Sequence, residues 1–169
     1  MKLIEALKQI KDLEKKADDL REKVAKNSAH LNIETPTYAD QRKQVKQWIQ
    51  SHADILKEIL RLRIAIQKTN LATDVVIELE GKAVTKSIAE WIHRRRDLAN
   101  DEVKAWRGLT DRNLKEGTMK QSNDQPVEVK IVRCYEPEER DQKIYNLESE
   151  PSIIDGKLEI VNAVTDLLE

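Results

Sequence analysis

Phenylalanine is absent from the 169 residues, cysteine occurs once, and glycine and proline occur four times each. A lone Cys134 excludes an internal disulfide and suits a reducing compartment. With so little glycine and proline and 36% charged residues, the composition favours long charged helices over a sheet-rich fold. Also missing is any run approaching the roughly 18 to 20 apolar residues that span a bilayer. The opening MKLIEALKQIKDLEKK holds no unbroken apolar core of signal-peptide length. The expectation is a cytoplasmic product with no membrane partner. Nor does one charge dominate: the formal net charge is −1, which argues against bulk nucleic-acid binding. The balance is uneven, however. Residues 82–120 carry ten Lys or Arg against six Asp or Glu, and residues 135–169 carry three against ten. Two such segments attract each other, within a subunit or between subunits.

What the sequence does have is helical periodicity on a length suited to one domain. Leu3, Ala6, Ile10, Leu13, Ala17, Leu20 and Val24 alternate steps of three and four, predicting a coiled-coil helix over about 2–30. Thr35 and Pro36 supply an N-cap and first-turn proline for a second helix over 36–74. Its first seam runs Val45, Ile49, His52, Leu56, Ile59, Arg63, Ile66, Asn70. Trp48, Ile55 and Leu62 form a second seam beside it. A face that broad wants two neighbours, hence a bundle. VVIELEGKAV reads as a turn or short strand pair, with a strand over about 75–80. A third helix follows over 86–109, with Ser87 and Glu90 spaced as a capping box and a stripe through Ile88, Ile92, Arg95, Ala99 and Val103. Residues 111–126 read as polar loop, and VEVKIVRC alternates as a strand over 127–133. In the last segment Ile144, Leu147, Ile154, Leu158, Val161, Thr165 and Leu168 hold one phase across Pro151. That predicts a single kinked helix over 137–168.

With these pieces placed, MKLIEAL, RIAIQKTNLAT, VTKSIAEWIHRRRDL and VEVKIV followed by a last helix ending VNAVTDL resemble the DIP1984 family. These are small bacterial and phage proteins of unknown function, some labelled septicolysin. The resemblance implies a mostly helical fold and brings no catalytic residues with it. The septicolysin label implies a thiol-dependent cytolysin. Nothing around Cys134 in the sequence activates a thiol, and narrow stripes with mixed charge do not suit a lytic helix.

Chemistry-bearing constellations are scarce. His30, His52 and His93 fall on different elements without ligand-spaced Cys, Asp or Glu, which argues against a metal. No nucleophile elbow or glycine-rich phosphate loop occurs, so no enzymatic activity, catalytic residue or cofactor is expected. WIHRRRDL is the best nucleic-acid candidate, but three successive helical residues spread over about 200° and cannot form one basic stripe. Arg95 falls on the apolar seam, and the reading is one arginine inward to an acidic partner, two outward.

Two polar pairs close the apolar stripes. Ile66, Asn70 and Thr73 stand at i, i+4 and i+7, and Leu158, Asn162 and Thr165 repeat that spacing. Either buried amides meet and fix register, or Asn and Thr satisfy last-turn carbonyls.

Together these readings predict an all-α, elongated antiparallel four-helix bundle or coiled coil with short β-segments in its connections. Its function is expected to be structural, through self-association. Helix 2, at about 58 Å, outruns helix 3, at about 36 Å, leaving part of the face around Val45, Trp48, Ile49, Ile55, Leu56, Ile59 and Leu62 for a second copy. Other assembly or virion proteins are further expected partners, and the virion an alternative location. The alternatives are a nucleic-acid-binding module using helix 3 and a cytolysin.

Overall fold

A computed structural model describes residues 1–168. Helix α1 (Leu3–Asn27) starts where the Lys2 N–H donates to Glu5 Oε2 at 2.7 Å, satisfying one of the amides every helix start leaves over. Helix α2 (Gln41–Ala72) is capped by Asp40, whose Oδ1 accepts from the Lys43 N–H at 3.0 Å. It therefore begins at Gln41 and not at Pro36, and at 32 residues it is about 48 Å long. The β1 strand (Asp74–Leu79) and β2 (Lys82–Ser87) form a two-stranded sheet. Glu80 (φ 51°) and Gly81 (φ 72°) close it as a two-residue turn of the twist that hairpins require. Next come α3 (Ile88–His93), a π-helical turn (Arg94–Leu98) and α4 (Ala99–Arg107). β3 (Gly117–Lys120) pairs antiparallel with β4 (Pro126–Val129), Gly117 opposite Val129 and Lys120 opposite Pro126. Helix α5 (Pro137–Val164) opens on a proline whose missing N–H costs nothing there, and it continues through Pro151.

The chain gathers into two compact units. The first comprises residues 1–75, 87–89 and 158–168. Here α1 and α2 lie side by side, burying Leu3, Ala6, Ile10 and Ala17 from one helix and Trp48, Ile59, Leu62, Ala65 and Ile66 from the other. Ala6, Ala17 and Ala65 put small side chains in this contact, which lets helix backbones approach closely. The second unit comprises residues 76–86 and 90–157, with Ile77, Trp91, Ala99, Val103, Leu147 and Ile154 buried.

The molecule is mixed α and β, which corrects the all-α four-helix bundle expected from periodicity. Two separate two-stranded antiparallel sheets accompany four helical stretches among the described residues. VVI alternates buried and exposed, Val84 between Ala83 and Thr85 is half-buried between exposed neighbours, and the left-handed Glu80-Gly81 pair returns the chain at once, so these residues pair as strands. β3 lies inside the segment read as polar loop. All four of its residues are exposed, so it leaves no apolar alternation to detect. β4 begins one residue before the expected strand and ends at Val129, leaving Cys134 outside it and exposed.

Candidate functional site

Helix α2 is apolar on two sides. Of the seven residues expected to form one packing face, Trp48, Ile59 and Leu62 are buried, Val45 and Ile55 are half-buried, and Ile49 and Leu56 are exposed. The last two belong to a different stripe. Ile49, Leu56, Leu60, Ile64 and Leu71 recur at i, i+7, i+11, i+15 and i+22, within about 80° of arc and turned well over 90° from the buried face. All five are exposed, Leu60 by 61% and Leu71 by 70%. This strip is about 33 Å long. Arg63, predicted on the seam, is exposed and bridges to α1 through Glu14 Oε1 at 2.6 Å.

The π turn decides the arginines. The Ala99 N–H donates to the Arg94 carbonyl, five residues back, so one extra residue is accommodated and everything downstream is rotated by about 100°. Trp91, not Arg95, then joins Ala99 and Val103 in the buried set. The inward arginine is Arg94. Its side chain is 21% exposed and grips the 8% exposed Glu150 carboxylate at 2.7 Å through Nε and 3.2 Å through Nη2, with Glu102 at 2.5 Å on Nη1. The Glu150 bond holds the guanidinium above its usual pKa, desolvation opposing it. Arg95, by contrast, is 38% exposed and paired to Asp155 at 2.5 Å. Arg96 pairs with Asp97 at 3.3 Å, and Arg107 with Glu148. The basic and acidic segments thus meet within one chain, and each arginine of the RRR run is in an ion pair.

The polar pairs lie at one end of the first unit, where the chain's two ends meet. The Leu3 N–H donates to the Thr165 carbonyl at 2.9 Å and the Leu167 N–H to the Met1 carbonyl at 2.8 Å. Lys2 Nζ reaches Asp166 Oδ1 at 2.9 Å and the Val164 carbonyl at 2.9 Å. Buried Thr69, which the sequence reading did not single out, donates to Ala65 O and accepts the Leu168 N–H at 2.9 Å. Thr73 closes α2 by donating its N–H to Thr69 O, and its own carbonyl accepts from Ile88 at 2.9 Å. Of the last-turn carbonyls, those of Thr69 and Val161 accept backbone amides and that of Val164 accepts Lys2 Nζ. The Asn70 and Asn162 Oδ1 atoms are buried without a hydrogen-bond partner.

A second polar cluster lies where loop meets α5. Arg133 holds Asp111 bidentately at 2.7 and 2.6 Å, Tyr135 Oη donates to Asp111 at 3.2 Å, and the Arg140 guanidinium stands 5.4 Å from the Tyr135 ring centre. Arg133 keeps the Asp111 carboxyl below its ordinary value. These groups line a cleft of about 260 Å3, but their charges are turned on one another, which suits anchoring the loop. Among the described residues no His, Cys, Asp or Glu cluster could hold a metal, and no helix is long and apolar enough to cross a membrane.

No protein-family model matches the chain, and no curated protein is similar to it at a significant level. Among solved structures, the fold is similar to that of a functionally unknown conserved protein from Corynebacterium diphtheriae, with a TM-score of 0.58 at 19% sequence identity, over 99% of this chain and 98% of that one.

Proposed function

We propose that the protein is a non-enzymatic structural or interaction protein that self-associates through a helix face. The observation that supports this is the open apolar stripe of α2, Ile49 to Leu71, opposite the face that α2 spends on its own core. Contiguous apolar surface of this length is rare on monomers and marks a contact with another protein. Helix α2 is shorter than the 36–74 expected, so the exposed stripe, and not an excess of helix length, supports this contact.

Membership of the DIP1984 family belongs to the same proposal. It is supported by the sequence motifs and by a fold shared with a conserved protein of unknown function. A building block of a larger assembly, such as a virion, is the setting the resemblance suggests. Light scattering on purified protein at micromolar concentration tests the reading. A multiple of the 19.6 kDa chain mass is expected, and a monomer mass defeats it. Leu60→Asp, on an exposed position, should reduce the mass to that of one chain without loss of helical signal.

A further inference from the structure

We infer that the free edge of β3 pairs antiparallel with β3 of a second copy across a twofold axis, giving a four-stranded sheet in the order β4, β3, β3, β4. This contact uses a different surface from the α2 stripe and does not rest on it. The hairpin is short of partners by itself. Its sheet has two strands, every residue of β3 is exposed, and an isolated two-stranded hairpin is marginal in water. The Gln121 N–H donates to the Gln125 carbonyl at 3.1 Å, so in this register hydrogen-bonded pairs recur at Met119 with Val127 and Gly117 with Val129. The N–H and C=O groups of Thr118 and Lys120 consequently point away from β4, and among the described residues no other element bonds them. The outer edge of β4 is the poorer template, since Pro126 lacks a donor there.

A second β3 complements this edge residue by residue. Centred on Thr118, antiparallel pairing sets Thr118 opposite its own copy, Glu116 opposite Lys120 and Gly117 opposite Met119. Glu116 is in no ion pair among the described residues, and its Oε1 accepts only the Ile131 N–H at 3.0 Å. Lys120 has a single contact, 3.5 Å to Asp124 with the two side chains 76% and 85% exposed, of a kind worth little. Opposite charges thus face each other twice across the axis. On the other face of the strand, Gly117 has no atom within 4 Å of where a Cβ would stand, and Met119 is 63% exposed. The pairing brings Met119 of each copy across from Gly117 of the other, on the same face as the half-buried Val127 and Val129. Because one patch serves both copies, the contact closes on itself. With few residues from each copy it is weak alone, so Leu60→Asp at micromolar concentration still scatters as one chain.

Thr118→Cys in a Cys134→Ser background tests the pairing, because a hydrogen-bonded antiparallel pair holds its Cα atoms about 5.5 Å apart, within reach of a disulfide. Concentrated protein, with or without Leu60→Asp on α2, should form a disulfide dimer on oxidation by dissolved oxygen. Ser122→Cys, exposed at the hairpin tip and far from the axis, should cross-link at least several-fold more slowly. Equal rates overturn the pairing. Lys120→Glu sets like charges opposite each other and should slow the Thr118→Cys cross-link several-fold, as should Glu116→Lys. Mixing these two variants should restore it, since each then meets its opposite, and a cross-link indifferent to the changes overturns the register. Hydrogen exchange at the Thr118 amide needs no cysteine and should slow as wild-type concentration rises. Fast exchange at every concentration overturns the proposal. Protection without the Thr118→Cys cross-link gives the edge to another segment and overturns it too. A wild-type monomer in micromolar light scattering, by contrast, defeats only the α2 reading.

Discussion

Arg94 and Arg95 are adjacent in sequence and differ in what surrounds them. Arg94 faces a nearly inaccessible carboxylate, and removing one partner of such a pair strands the other charge out of water. Arg94→Ala is therefore expected to lower unfolding free energy by about 3 to 5 kcal/mol, read by urea denaturation. Arg95→Ala should cost under about 1 kcal/mol, because both its guanidinium and Asp155 are in contact with water. Equal effects of the two substitutions would contradict the π-turn geometry. At Asp111 the prediction concerns pH. Hydrogen bonds from Arg133 lower the folded-state pKa below the ordinary 3.8, so the carboxylate's contribution is present above that value and is lost as pH falls through the lowered one. Wild type should accordingly exceed Asp111→Asn in thermal midpoint at neutral pH. The gap should close in strong acid, and a gap that persists there would show a cause other than ionisation.

Among the elements, the β1–β2 hairpin depends on a turn whose second residue only glycine adopts at no cost. Gly81, at φ 72°, has open space around it, so a side chain is penalised by backbone conformation and not by collision. Gly81→Val should destabilise by roughly 1 to 2 kcal/mol. Helix α5 raises the reverse case. Pro151 withholds an amide from the interior of an otherwise regular helix. Pro151→Ala restores it and should stabilise by about 2 kcal/mol after the looser unfolded chain is allowed for. A lower denaturation midpoint for this variant would mean that the helix is shaped around the proline.

On the scale of the whole molecule, the first unit is closed by chain segments 160 residues apart. Ending the chain after Val164 removes the bonds Leu3–Thr165, Leu167–Met1 and Leu168–Thr69. The truncation should cost roughly 2 to 4 kcal/mol, and hydrogen exchange should find the Leu3 amide unprotected while the centre of α2 stays protected. Unchanged protection at Leu3 would show that the terminal contact does not hold this end together.

The sequence by itself determined the long helices, because apolar residues at steps of three and four over 25 to 32 residues have no other way to share a face. It also determined that α5 continues past Pro151, since the phase of Leu147, Ile154 and Leu158 survives there. It pointed to the terminal polar sites through Asn70, Thr73, Asn162 and Thr165. Tertiary structure decided what periodicity cannot carry. A π turn shifts phase without any distinctive residue, so Arg94 and Trp91 took the inward places assigned to Arg95 and Ile92. Strand β3 is held to β4 by backbone hydrogen bonds, which the exposed side chains of β3 do not report. On α2, one broad apolar face and two separate ones look alike in a list of residues. Only the position of α1 against Trp48, Ile59 and Leu62 leaves Ile49, Leu56 and Leu60 outside.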